Sequence, residues 1–128
     1  MRLRAALTTV VLTALLPVGS AVPAVAAPDR GVLLTVSGSA NTWIRGVVLH
    51  CPPGPDDRHP DARGACAALD AAGGDFDALA GDPHPCTYED DPVTVTAEGV
   101  RQGDAVEWRH TYPNACLMDA ATGPVFRF

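Results

Sequence analysis

Four cysteines, Cys51, Cys66, Cys86 and Cys116, constrain this chain more than any other feature, because the segment ahead of them reads as an export signal. Residues 1–26 open with Arg2 and Arg4, turn apolar from Ala5 to about Val18, and close on the small residues Ala24, Val25 and Ala26. Pro17 and Gly19 interrupt the apolar run, which is shorter than the roughly 20 residues a membrane span needs, and Ala24-x-Ala26 fits a signal-peptidase site. Cleavage after Ala26 is expected, leaving residues 27–128 as one domain of 102 residues in an oxidising compartment, with nothing to hold it in a membrane. An even cysteine count there argues for two disulfides, and the residues alone leave three pairings open. Sequential pairing would close short loops, each worth about 3 to 4 kcal/mol.

Metal is the competing use of cysteine. The chain has no Cys-x-x-Cys pair, and His50, His59, His84 and His110 are scattered, so no metal or other cofactor is expected. Beyond residue 26 the chain carries seven arginines, no lysine and 15 acidic residues, a formal charge of −8. Such a surface repels nucleic acid and anionic lipid, since neither can release counterions to an acidic protein.

Periodicity predicts an α+β domain, an antiparallel sheet of five strands with helix on one side. Strands are expected over residues 32–36 and 44–51, paired through the polar residues 37–42, then over 93–97 and 105–112, with a turn at Glu98-Gly99 or Gln102-Gly103. A last strand is expected over residues 125–128. Pro52, Pro53, Gly54 and Pro55 forbid regular structure after the second strand. Helix is expected over residues 66–72, stopped at Gly73-Gly74, with a further turn at 75–79 capped by Asp75. Val106, Trp108, His110 and Tyr112 share one face of the fourth strand. The fourth and fifth strands together offer more β-branched and aromatic surface than the one short helical segment covers, which suggests a homodimer.

Residues 84–92 are chemically distinct. A half-cystine at Cys86 anchors one end, Pro92 stiffens the other, and a single large aromatic, Tyr88, stands among polar residues. This is the composition of a loop presented to a protease, with Pro85, Cys86, Thr87, Asp90 and Asp91 as contacts; the competing reading folds Tyr88 back onto the body as an ordinary solvated connection. Thr87 and Glu89 fall on one side of an extended backbone, so the hydroxyl can brace the carboxylate across Tyr88.

The motifs Cys51-x-Pro53-Gly54-Pro55, His59-Pro60, Ala65-Cys66-Ala67-x-Leu69, Gly73-Gly74-Asp75, Asp91-Pro92-Val93, Gly99-Val100-x-Gln102-Gly103, Asn114-x-Cys116 and Val125-Phe126-x-Phe128 span the whole expected domain. In them the chain resembles the Streptomyces subtilisin inhibitor family. The resemblance implies a five-stranded antiparallel sheet with two short helices and sequential disulfides, in a secreted, homodimeric inhibitor of subtilisin-like or chymotrypsin-like serine proteases whose substrate-like loop has Tyr88–Glu89 as its reactive bond. Asn114, two residues before Cys116, would then lie near the loop and support its carbonyls from below. Asp57 departs from the family pattern, which usually has glycine there.

An enzyme is not expected. Ser37 and Ser39 are the only serines beyond the export segment, and neither Gly-x-Ser-x-Gly nor His-Glu-x-x-His occurs. His59, between Arg58 and Pro60, reads as structural. The remaining alternative is a non-inhibitory secreted module for carbohydrate or a cell-wall partner, with Trp43 and Trp108 as stacking residues.

Overall fold

A computed structural model describes residues 19–23 and 30–128. Most of the expected export segment therefore lies outside the described residues. Among them, no helix is long and apolar enough to cross a membrane.

Four strands form one antiparallel sheet: β1 (Gly31–Ser37), β2 (Ile44–Leu49), β3 (Val93–Arg101) and β4 (Asp104–Tyr112), in the order β2-β1-β3-β4. Alternation sets which face is buried. Val32, Leu34 and Val36 of β1 point the same way as Leu49 of β2 and Val93, Val95 and Ala97 of β3, and all are buried. Against them pack Ala65, Cys66 and Leu69 of helix α1 (Ala62–Ala71), Met118 of helix α2 (Ala115–Thr122), and Phe76, Val125 and Phe126. The β3–β4 turn falls at Gln102-Gly103, where both residues have positive φ.

Helix α1 begins four residues earlier than the composition suggested because Asp61 caps it, its Oδ1 accepting from the Gly64 N–H at 3.0 Å. It stops as expected: Gly73 and Gly74 have positive φ, with Gly74 N–H donating to Leu69 O and Gly73 N–H to Asp70 O. The turn after it is a 3-10 segment, Phe76–Ala78, with Asp75 as its cap and Phe76 buried.

One expectation needs correction. The sheet has four strands among the described residues, not five: the chain end forms a 3-10 turn, Gly123–Phe126, with Pro124 near its start. Proline presets a helical φ at that position, and the turn buries Val125 and Phe126 beneath α1 without any ladder hydrogen bonds. The face of β4 that carries Val106, Trp108, His110 and Tyr112 is partly covered, with Val106, Trp108 and Tyr112 half-buried and His110 exposed. Trp108 stacks on Phe76 at 5.2 Å between ring centroids, lies 5.9 Å from Phe126, and donates from Nε1 to Asp77. The opposite face of the sheet also carries exposed apolar side chains, Leu33, Ile44 and Val48 of β1 and β2.

Both disulfides are sequential, Cys51–Cys66 and Cys86–Cys116, with Cα separations of 5.5 and 5.7 Å. The first ties the chain after β2 to α1. The second ties residues 82–92 to α2.

Candidate functional site

The segment from Asp82 to Pro92 has no regular structure, and its form follows from what its sequence withholds and what α2 supplies. Pro83, Pro85 and Pro92 lack backbone donors and fix φ, so the segment can enter neither helix nor ladder. Its entry is pinned where Asp82 N–H donates to Ala120 O at 2.9 Å. Gly81 is required just before, since a Cβ there would stand 2.3 Å from the same carbonyl oxygen. The exit is pinned where Asp91 N–H donates to Pro113 O at 3.0 Å and Ser39 Oγ donates to Pro92 O at 3.3 Å.

Between these roots Asn114 does two things at once. Its Oδ1 accepts from Leu117 N–H at 2.9 Å and so caps α2. Its Nδ2 donates to the carbonyls of Thr87 and Glu89, each at 3.1 Å. Asn114 is buried, and the two carbonyls it holds are those on either side of Tyr88. Tyr88 itself is 87% exposed. The aromatic does not fold back; it stands out from a backbone held beneath it.

Thr87 Oγ1 donates to the Glu89 carboxylate across Tyr88, and this bond, followed by one from the Glu89 N–H, lowers the Glu89 pKa below its ordinary value. Asp90 and Asp91 make no ion pair with any described residue. On the entry side, His84 Nε2 lies 2.7 Å from Asp119 Oδ2 on α2. Arg127 donates to both oxygens of Asp119 and also to Asp82.

The expected loop residues Pro85, Cys86, Thr87, Tyr88, Glu89, Asp90 and Asp91 and their support Asn114 thus come together in one place. Cys51 and Cys66 do not join them: Leu49 pairs with Val32 while Ser37 pairs with Thr94, so that disulfide lies toward the other end of the sheet. His84, Cys86 and Cys116 meet, but both sulfurs are bonded to each other and offer no thiolate to a metal. His59 is structural, its Nε2 at 2.9 Å from Val125 O and its Nδ1 accepting from Asp61 N–H. Trp43 precedes one edge strand and Trp108 sits on the other, so they form no common stacking platform. Sequence reasoning missed α2 as the platform under the loop and missed Asp82, Asp119 and Arg127. Asn114 ahead of a run of good helix formers was the available signal.

Comparison with known proteins gives a consistent picture. A family model described as subtilisin inhibitor-like matches residues 29–114. The chain is 47% identical over 106 residues to protease inhibitor SIL-V2 of Streptomyces orinoci, covering 80% of this chain and 97% of the relative. It is 42% identical over 100 residues to subtilisin inhibitor-like protein 8 of Streptomyces virginiae, covering 73% and 90%. Among solved structures it matches Streptomyces caespitosus sermetstatin, determined in complex with Bacillus licheniformis subtilisin, with TM-score 0.60 and 34% identity over 77% of this chain and 97% of that one.

Proposed function

Because the chain belongs to the subtilisin inhibitor-like family, we propose that it is an exported inhibitor of subtilisin-like or chymotrypsin-like serine proteases that offers residues 84–92 as a substrate, with Tyr88–Glu89 as the reactive bond. The observation that carries this reading is the paired grip of Asn114 on the Thr87 and Glu89 carbonyls around an exposed Tyr88. A flexible substrate loses conformational entropy when it extends into a protease cleft. This loop is already fixed by the Cys86–Cys116 bond, by proline and by Asn114, so less is lost on binding.

The same restraints explain slow cleavage. Tyr88 fills the enzyme's large apolar pocket, and the catalytic serine attacks the Tyr88 carbonyl carbon. Breaking the bond frees the Glu89 amine, but the hydrogen bond from Asn114 to Glu89 O and that from Asp91 N–H to Pro113 O keep the amine beside the acyl group. The disulfide keeps the other side in place. Re-formation of the peptide then competes with hydrolysis. Trypsin is not a target, because its pocket carboxylate selects a cation.

Residues 1–26 act as the export signal in this reading. The sheet face carrying Leu33, Ile44 and Val48 takes a second copy of the chain, and sedimentation at micromolar concentration should give a dimer; a monomer would remove that part alone. The main reading is tested by incubating the protein with subtilisin, chymotrypsin and trypsin and following residual activity. Loss of activity in either of the first two, with trypsin spared, is expected. Full activity in all three would overturn the proposal.

A further inference from the structure

Inhibition as described uses Asn114, the disulfide and Tyr88; it makes no use of the charged cluster at the loop's entry. Four side chains form a closed circuit there. His84 Nε2 meets Asp119 Oδ2 at 2.7 Å. Asp119 accepts from Arg127 Nε at 2.6 Å and from Arg127 Nη2 at 3.0 Å, and the same Nη2 reaches Asp82 Oδ2 at 3.0 Å. The circuit thus leaves the loop at Asp82, crosses the C-terminal segment and α2, and returns to the loop at His84.

The surroundings of the His84 ring are chemically one-sided. Nε2 faces a carboxylate oxygen, and Nδ1 faces the carbonyl of Pro85 at 3.3 Å. Both neighbours are acceptors. A neutral imidazole carries one ring proton and satisfies one of them; the imidazolium donates to both. The ring also packs against the loop's covalent anchor, with Nδ1 3.7 Å from Cys86 Sγ and 3.8 Å from Cys116 Sγ.

We propose that His84 is a positioning residue for the acyl-side half of the reactive loop, clamped in its protonated form between Asp119 and the Pro85 carbonyl, so that the loop resists cleavage at Tyr88–Glu89 better when His84 is charged. The proposal rests on the Tyr88–Glu89 reading and adds to it a dependence on pH. The charged groups facing His84 are Asp119 on α2, Asp82 at the loop's own start, and Arg127 behind Asp119. The hydrogen bond with Asp119, then that with the Pro85 carbonyl, raises His84 above the ordinary 6.5, while Arg127 and His84 keep Asp119 ionised. The sign follows. A base whose pKa is raised by its partners contributes the clamp fully below 6.5 and loses it as pH rises through the raised value.

The test compares the parent with His84→Gln, which keeps an N–H donor toward Asp119 but never titrates. Cleavage at Tyr88–Glu89 by a small amount of subtilisin is followed by mass spectrometry across the pH range, and the variant-to-parent ratio at each pH cancels the enzyme's own titration. The ratio should be about two- to fivefold below about pH 6 and fall to about 1 near pH 9, as fits a partly exposed charge pair. A ratio of 1 throughout, or one raised equally at every pH, overturns the clamp. In parallel, NMR of the free protein should place the His84 midpoint above 6.5 and lower it in Asp119→Asn. An unshifted midpoint in the parent also overturns the clamp, without reference to any protease. A parent that is cut only at another bond contradicts the Tyr88–Glu89 reading itself, and the clamp falls with it.

Discussion

The two irregular loops of this molecule, residues 50–60 and 82–92, are both rich in proline and both tied by a disulfide, yet they are stiffened from opposite directions. The first is held from within. Asp57 turns its carboxylate inward, where it is 3% exposed and accepts from His50 N–H, His50 Nδ1 and Gly54 N–H. Burial pushes the Asp57 pKa up, but these bonds outweigh it and hold it below its ordinary value. The second loop is held from beneath, by the side chain of Asn114, the backbone of α2 and the pairing of His84 with Asp119, while Thr87, Tyr88, Glu89, Asp90 and Asp91 are exposed. A loop that satisfies itself has no edge left to offer. A loop supported by another element is rigid and still presents an unoccupied outer edge to an enzyme.

Removing each disulfide should separate the two kinds of support most strongly. Replacing Cys51 and Cys66 by alanine should cost about 3 kcal/mol of stability, read by denaturant melts, while molecules that remain folded inhibit as the parent does. Replacing Cys86 and Cys116 should cost about 3 to 4 kcal/mol and in addition turn the inhibitor into a substrate cut quickly beside Tyr88. Equal loss of inhibition from both pairs would erase the distinction between the loops.

Asn114 sharpens the comparison, since one residue caps a helix and braces a loop. Asn114→Asp keeps the acceptor for Leu117 N–H and removes both donors to the loop. The cap should survive while the loop support is lost: affinity for subtilisin should fall by about 2 kcal/mol, the worth of two hydrogen bonds, and stability should fall too because a buried carboxylate then faces two carbonyl oxygens. Asn114→Ala should lose both. If the aspartate variant binds as tightly as the parent, support from beneath is not what readies the loop. For Asp57→Ala a loss of stability alone is expected: about 2 kcal/mol from stranded donors, with inhibition intact.

How much of this was legible in the sequence depended on range. The pairings of β1 with β2 and of β3 with β4 were visible because alternating residues on either side of a short polar turn specify a hairpin. The pairing of β1 with β3 bridges about 60 residues and carries no local signal. Residues 125–128 looked like a strand because two aromatics and a valine fit a pleated surface; Pro124 makes a helical turn there, and the tertiary burial is the same. Helix α2 carries a weaker local signal, since its eight residues show no apolar stripe and Asn114 fits loop support as well as a cap. The loop was legible in composition, down to Thr87 and Glu89, whereas the His84 circuit was not, since Asp119 stands 35 residues away.

The smallest expected effect concerns that internal brace. Thr87→Val and Glu89→Gln should each weaken inhibition severalfold, and the double variant should lose less than the product of the two, because both remove one bond. The Thr87 bond and the Glu89 N–H lower the carboxylate's pKa, so the brace persists through the ordinary value of 4.5 and is lost only as pH falls through the lowered one. Losses that multiply in full would leave Glu89 as surface charge and make the loop wholly dependent on α2.

The central claim, that residues 84–92 are held as a substrate that re-forms after cutting, is tested most directly by treating the protein with a trace of subtilisin and sequencing the new chain ends over time. The expected result is one cut, giving a C-terminal Tyr88 and an N-terminal Glu89, which rises slowly to a plateau with intact protein still present, the same plateau being reached when purified cut protein is supplied instead. Cutting at another bond, or conversion that runs to completion without a plateau, would contradict it.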